Sequence, residues 1–301
     1  METTPSDFAR CRIELPARGG TMAALDFGPA ERPIEVIFSH ANGFNARTYR
    51  SILAPLAPPM RILALDLRGH GRTELPTNAE GRSTWNDIAE DLCALLEVIG
   101  AQDVILAGHS MGGTASLLAA SRKPERIRRL VLFEPVILSK EAAQRAREGP
   151  INSPLAEGAR RRRTQFASRD EALAAYSGRG AFKSLTEPQV ADYVADGLKE
   201  RPDGAFELAC STEWEASNFV SHGHDAWAAL LGPGPPVRIL QAEHGSTCAA
   251  LNPCLDEVLA SGRVSLDVAP GATHLLPMER PDLVRDEIKR SAAARTIKET
   301  R

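Results

Sequence analysis

The sequence predicts an α/β protein: a mostly parallel, eight-stranded sheet covered by helices, with an inserted helical cap. Three observations carry this expectation. Short β-branched runs alternate with helix-period segments, the rhythm of strands joined by crossover helices. Strand candidates run from "CRIEL" at residues 11–15 to "VSLDVAP" at 264–270. The rhythm then fails for roughly a hundred residues after Glu134, too long for a structureless loop in a compact protein, so a helical insertion is expected.

In chain order, "CRIEL" and "MAALDF" leave no room for a helix between them and should form an antiparallel hairpin at one edge. "IEVIFSH", "RILALDL", "DVILAGH" and "RLVLFEP" follow as buried strands. Among the helices between them, "STWNDIAEDLCALLEVIG" repeats Ile88, Leu92, Leu95, Leu96 and Ile99 at three- and four-residue steps, and Gly100 supplies the stop. The insertion holds helical patterns, "RDEALAAYSG" and "EPQVADYVADGLKE", and no convincing buried strand. "GPGPP" at 232–236 punctuates the return to "VRILQAE" and "VSLDVAP". The expected division is a core of residues 1–138 and 232–301 around a cap of 139–231.

Composition narrows the function. With 36 basic and 39 acidic residues the net charge is −3, which gives no electrostatic reason to expect nucleic acid or an anionic membrane as partner. The arginine run in "ARRRRTQF", Arg160 to Arg163, would spread around a helix and reads as solvated surface. Five cysteines, odd in number and without zinc-site or CxxC spacing, fit reduced thiols. The amino terminus lacks a secretory pattern and no window approaches the length of a membrane span. A soluble cytoplasmic protein acting on a small molecule is expected, with its oligomeric state open. Residues 1 to about 9 and the terminal "TIKETR" should fray.

The chemistry lies at strand ends. "DVILA" runs into "GHSMGG" (108–113) and then into "TASLLAASRKP". Strand, GxSxG, helix is a nucleophile elbow, in which the glycines permit a tight turn that lifts Ser110 out of the sheet. "APGATHLLPMERPD" places His274 in a loop after the last strand, where an imidazole can serve as base near neutral pH. "LVLFEPV" ends a buried strand in Glu134, either as a plain stop beside Pro135 or as the acid of a triad.

With "FSHANGF" (38–44), "ALDLRGHGRT" (64–73), "GHSMGG" and "GATHLLPMERP" (271–281) in that order, the chain resembles the α/β-hydrolases, the family of esterases, lipases, epoxide hydrolases and haloalkane dehalogenases. The resemblance covers nearly the whole chain and implies a triad of Ser110, His274 and an acid. In the family's usual arrangement that acid follows the strand after the insertion, where "QAEHG" offers Gly245 instead. Haloalkane dehalogenases carry it where Glu134 stands, so Glu134 is the expected acid and Glu243 the alternative. The resemblance also implies an oxyanion hole from the backbone N–H groups of Met111 and Asn42. A serine nucleophile argues against dehalogenation and epoxide opening, which use a carboxylate.

The expected function is therefore a cofactor-free serine hydrolase of a small or medium carboxylic ester. The alternatives are a hydrolase-fold receptor with little turnover, or a perhydrolase or C–C bond hydrolase using the same triad. Phe44, Trp214, Phe219 and Trp227 are candidates for pocket lining, with ordinary core as the competing reading. "SHGHD" (221–225) looks like a metal motif, yet further ligands do not follow at the right steps, and no metal is expected. His40, His70 and His109 read as structural.

Overall fold

A computed structural model of the chain describes residues 7–149 and 151–294. The main sheet contains β1 (Ala9–Leu15), β2 (Gly20–Phe27), β3 (Val36–Ser39), β4 (Ile62–Leu65), β5 (Val104–His109) and β6 (Ile127–Phe133), each at a candidate position from the sequence. The insertion supplies β7 (Gln165–Phe166), β8 (Leu198–Glu200) and β9 (Phe206–Leu208), and the chain returns as β10 (Val237–Ala242) and β11 (Val264–Ala269). The eight-stranded order is β1-β2-β4-β3-β5-β6-β10-β11. β1 and β2 form the expected antiparallel hairpin, β2 also runs antiparallel to β4, and all other pairings are parallel.

Both faces of this sheet are covered, which explains why its central strands are apolar throughout. Side chains alternate across a strand. Val104 and Leu106, with Leu130 and Leu132, pack with the Asn86–Val98 helix residues Leu92, Leu95 and Leu96. Their neighbours Ile105, Ala107, Val131 and Phe133 face the other way, onto Phe38, Tyr49, Val284 and Ile288. A strand buried on both sides loses polar alternation and becomes a continuous apolar run.

Between β6 and β10 the chain forms helices, as expected, and also a three-stranded antiparallel sheet in the order β7-β9-β8, which was not expected. Strands of two or three residues are too short to display a period. The helix Glu187–Gly197 fastens this insertion to the core through Asp192 and Asp196, one turn apart on one face. Asp192 accepts from Arg47 Nε (3.1 Å) and Arg50 Nε (2.9 Å), and Asp196 from Arg10 Nη1 (2.9 Å) and Arg72 Nε (2.9 Å).

The arginine run departs from the solvated-surface expectation. The helix Pro154–Arg160 ends inside it, and the following turn directs Arg162 inward. Its guanidinium donates to the Glu215 carboxylate, to Tyr193 Oη (2.7 Å) and to Tyr176 Oη (3.2 Å). Among the described residues all five cysteines are free thiols, and no helix is long and apolar enough to cross a membrane. The fraying expected at the ends lies outside the described residues, except that Phe8 packs on Phe27 at 5.7 Å and Ala9 already belongs to β1.

Candidate functional site

The site is built where β5 stops. Ser110 has φ 54° and ψ −124°, a strained turn between β5 and the helix Met111–Arg122. The glycines permit a close approach of elbow and strands. A Cβ on Gly108 would stand 2.7 Å from the Gly112 carbonyl, and one on Gly112 would stand 2.4 Å from the carbonyl oxygens of both Ser39 and His40. The Ser110 N–H donates to Phe133 O at 3.0 Å, which ties the elbow to β6.

Ser110 Oγ lies 3.0 Å from His274 Nε2, and His274 Nδ1 lies 3.2 Å from Glu134 Oε2. An ionised carboxylate only accepts, so Nδ1 carries the proton and Nε2 is free to accept from the serine hydroxyl. Glu134 is wholly buried and has a left-handed backbone, φ 51°. Its oxygens accept from Ala242 N (2.6 Å), Ser246 Oγ (2.6 Å) and Thr247 N (3.1 Å). Burial alone would raise its pKa. His274, Ser246 and the two backbone amides outweigh that and hold it down at about 2.

The loop after β10, where the commoner arrangement would carry the acid, thus wraps around Glu134 and supplies its hydrogen-bond donors. Sequence reasoning missed Ser246 and Thr247, since nothing local links them to a residue more than a hundred positions earlier. Glu243 is not brought to His274; it is exposed and accepts from Gly271 N at 2.7 Å.

The N–H of Met111 opens the helix that follows the elbow. In the facing loop, the N–H groups of Ala41, Gly43 and Phe44 are engaged by Tyr49 Oη (3.1 Å), His70 Nε2 (3.1 Å) and Ala41 O (3.2 Å). Between these three, Asn42 N–H has no hydrogen-bond partner among the described residues. The Asn42 side chain is held by the insertion, donating to Glu215 O (3.0 Å) and accepting from Asn218 Nδ2 (2.8 Å).

Phe44 is buried against Phe182 (5.8 Å) and Tyr193 (5.9 Å). Trp214 donates to Arg68 O (2.8 Å) under the guanidinium of Arg82, and Trp227 donates to Leu138 O (2.9 Å). Phe219 packs on Ala156, Ala159 and Ala216. Phe44, Trp214 and Trp227 are buried in these contacts, whereas Phe219 is half-buried. His222 and His224 lie on Trp85, each 4.8 Å from its ring.

The pattern of the alpha/beta hydrolase family matches residues 36–287. The chain belongs to that family. Among relatives of this alpha/beta hydrolase, the 2-(acetamidomethylene)succinate hydrolase of Mesorhizobium japonicum is 25% identical over 251 residues, covering 82% of this chain and 84% of the relative. The 2-hydroxymuconate semialdehyde hydrolase of a Pseudomonas species is 37% identical over 103 residues, 34% of this chain and 35% of the relative. A crystal structure of E-2-(acetamidomethylene)succinate hydrolase superposes with a TM-score of 0.78 at 21% identity, covering 95% of this chain and all of that one.

Proposed function

We propose that this alpha/beta hydrolase cleaves a small or medium carboxylic ester through an acyl-enzyme on Ser110. The observation that carries the reading is the line from Ser110 Oγ through His274 to Glu134, at 3.0 and 3.2 Å. Ser110 Oγ attacks the carbonyl carbon while its proton passes to His274 Nε2. The oxyanion accepts from Met111 N–H and Asn42 N–H, and buried Glu134 stabilises the imidazolium. The C–O bond then breaks and the alcohol leaves with the proton from His274. Water attacks the acyl carbon with His274 again as base, releasing the acid and restoring Ser110.

A second reading, C–C bond hydrolysis with the same residues, is favoured by the names of relatives such as 2-hydroxymuconate semialdehyde hydrolase. A fluorophosphonate should label the wild type once and spare Ser110→Ala, read by intact mass. Sustained turnover of p-nitrophenyl esters of two to eight acyl carbons supports the ester reading (a roughly pocket-sized range). Labelling without ester turnover, but with bleaching of a conjugated diketone, would move the assignment to C–C cleavage. Stoichiometric binding without any turnover would make the protein a receptor.

A further inference from the structure

His109, directly before the nucleophile, and Tyr49 are wholly buried polar residues for which the reaction above has no use. They form a chain with one possible direction. His109 Nε2 lies 2.7 Å from the main-chain oxygen of His274, which can only accept, so Nε2 carries the ring proton. The remaining nitrogen, Nδ1, therefore accepts from the Tyr49 hydroxyl at 2.7 Å. Tyr49 Oη in turn accepts the N–H of Ala41 at 3.1 Å. Burial and the nearby His274 push the His109 pKa down to about 3, which keeps this ring neutral while its neighbour takes up a proton.

We infer that Tyr49 and His109 are positioning residues that fix the loop of the base and the oxyanion loop against each other. The inference rests on the reading of Ser110 and His274 as nucleophile and base. The main chain around His274 is otherwise tied to its own flanks and to an exposed turn. Ala272 N donates to Ala269 O, Thr273 N to Glu279, Leu276 N to Thr273 O, and Gly271 N to Glu243. Among the described residues, His109 supplies the hydrogen bond from the nucleophile's strand to the main chain of His274. At the other end, Ala41 immediately precedes Asn42, the donor assigned to the oxyanion. Packing alone does not call for this pair, because an apolar pair of the same shape is nearly neutral for stability when both polar partners are replaced together.

The test compares Tyr49→Phe, His109→Phe and His109→Gln with wild type, using fluorophosphonate labelling rates and p-nitrophenyl acetate kinetics per titrated active site. Gln keeps an N–H within reach of His274 O, whereas Phe keeps only bulk. Tyr49→Phe and His109→Phe should lower kcat and the labelling rate by about 10- to 100-fold, the scale of a misplaced catalytic group, with KM within about threefold of wild type. His109→Gln should recover most of the rate lost in His109→Phe. Wild-type kcat in folded Tyr49→Phe, or no recovery with Gln, would overturn the inference and leave the pair as space-filling. Tyr49→Phe removes a single oxygen, so it carries the test if His109→Phe does not fold. Failure of the wild type itself to label would strike the reading of Ser110, whereas normal labelling of both wild type and Tyr49→Phe would strike this inference alone.

Discussion

Glu134 combines three features that a strand end does not need: full burial, φ 51°, and short hydrogen bonds from Ala242 N and Ser246 Oγ. A neutral amide in its place can accept from some of these donors, but its NH₂ must then face an N–H, that of Ala242 in the place of Oε1 or those of Thr247 and His274 Nδ1 in the place of Oε2, and the charge that stabilises the imidazolium is lost. Glu134→Gln should therefore disturb the tautomer of His274 and lower kcat by roughly 10³- to 10⁴-fold. Glu243→Gln, on an exposed side chain, should change kcat by less than about tenfold. Steady-state kinetics on variants of verified far-UV circular dichroism decide this, and the reverse ranking would return the acid to the later strand. Ser110 and His274 were legible as a GxSxG elbow and a histidine in the loop after the last strand, whereas Glu134 by itself read equally as a strand stop and became the expected acid only through the resemblance to haloalkane dehalogenases. Arg162 was not legible, since four successive arginines reveal nothing about which one a turn will direct inward to Glu215 and Tyr193.

The strands of the large sheet were legible for a related reason. In the central strands, burial on both faces forces apolar, often β-branched residues at every position, and that signal is local, whereas the edge strands β1 and β11 are partly exposed and mix in polar residues. The small sheet of the insertion carries no such signal, because β7 holds two residues and its pairing with β9 is long-range. The elbow shows how tightly the readable elements constrain one another. A Cβ at 112 would meet backbone oxygens of Ser39 and His40 at 2.4 Å, whereas one at 113 would meet Gly108 O at 3.0 Å. The helix after Ser110 would have to withdraw from β3 in Gly112→Ala. The expected loss is at least about 3 kcal/mol, the upper end of ordinary overpacking, with a fall in labelling of Ser110. Gly113→Ala should lose distinctly less. Urea midpoints measured side by side test this, and equal stability of the two variants would contradict the close approach.

At the scale of the whole molecule, the histidines set the response to acid. Burial holds His40, His70, His109, His222 and His224 below their ordinary value, with His70 and His222 at about 4 and His109 and His224 at about 3. A depressed folded value means that the native state refuses protons the unfolded chain accepts. The stability linked to each group is therefore complete above about pH 6.5 and is lost as pH falls toward the folded value. One unit below 6.5 each of the four groups held at about 3 to 4 has withdrawn roughly 1 kcal/mol, so together they withdraw several kcal/mol, a large part of the stability of many domains. Asp66 works the other way. Burial raises it to about 6, so its ionisation opposes folding and acidification returns about 1 kcal/mol at most over that interval. Glu134, held at about 2, stays ionised throughout and enters only below about pH 4.5. The protein should therefore unfold cooperatively with a midpoint between about pH 5 and 6, well above the range in which carboxylates alone would drive it. Trp85, in contact with both His222 and His224, should report the transition in its fluorescence together with far-UV circular dichroism. Retention of both native signals at about pH 4.5 would mean that these imidazoles take up protons inside the fold, contrary to the burial that lowers their pKa values.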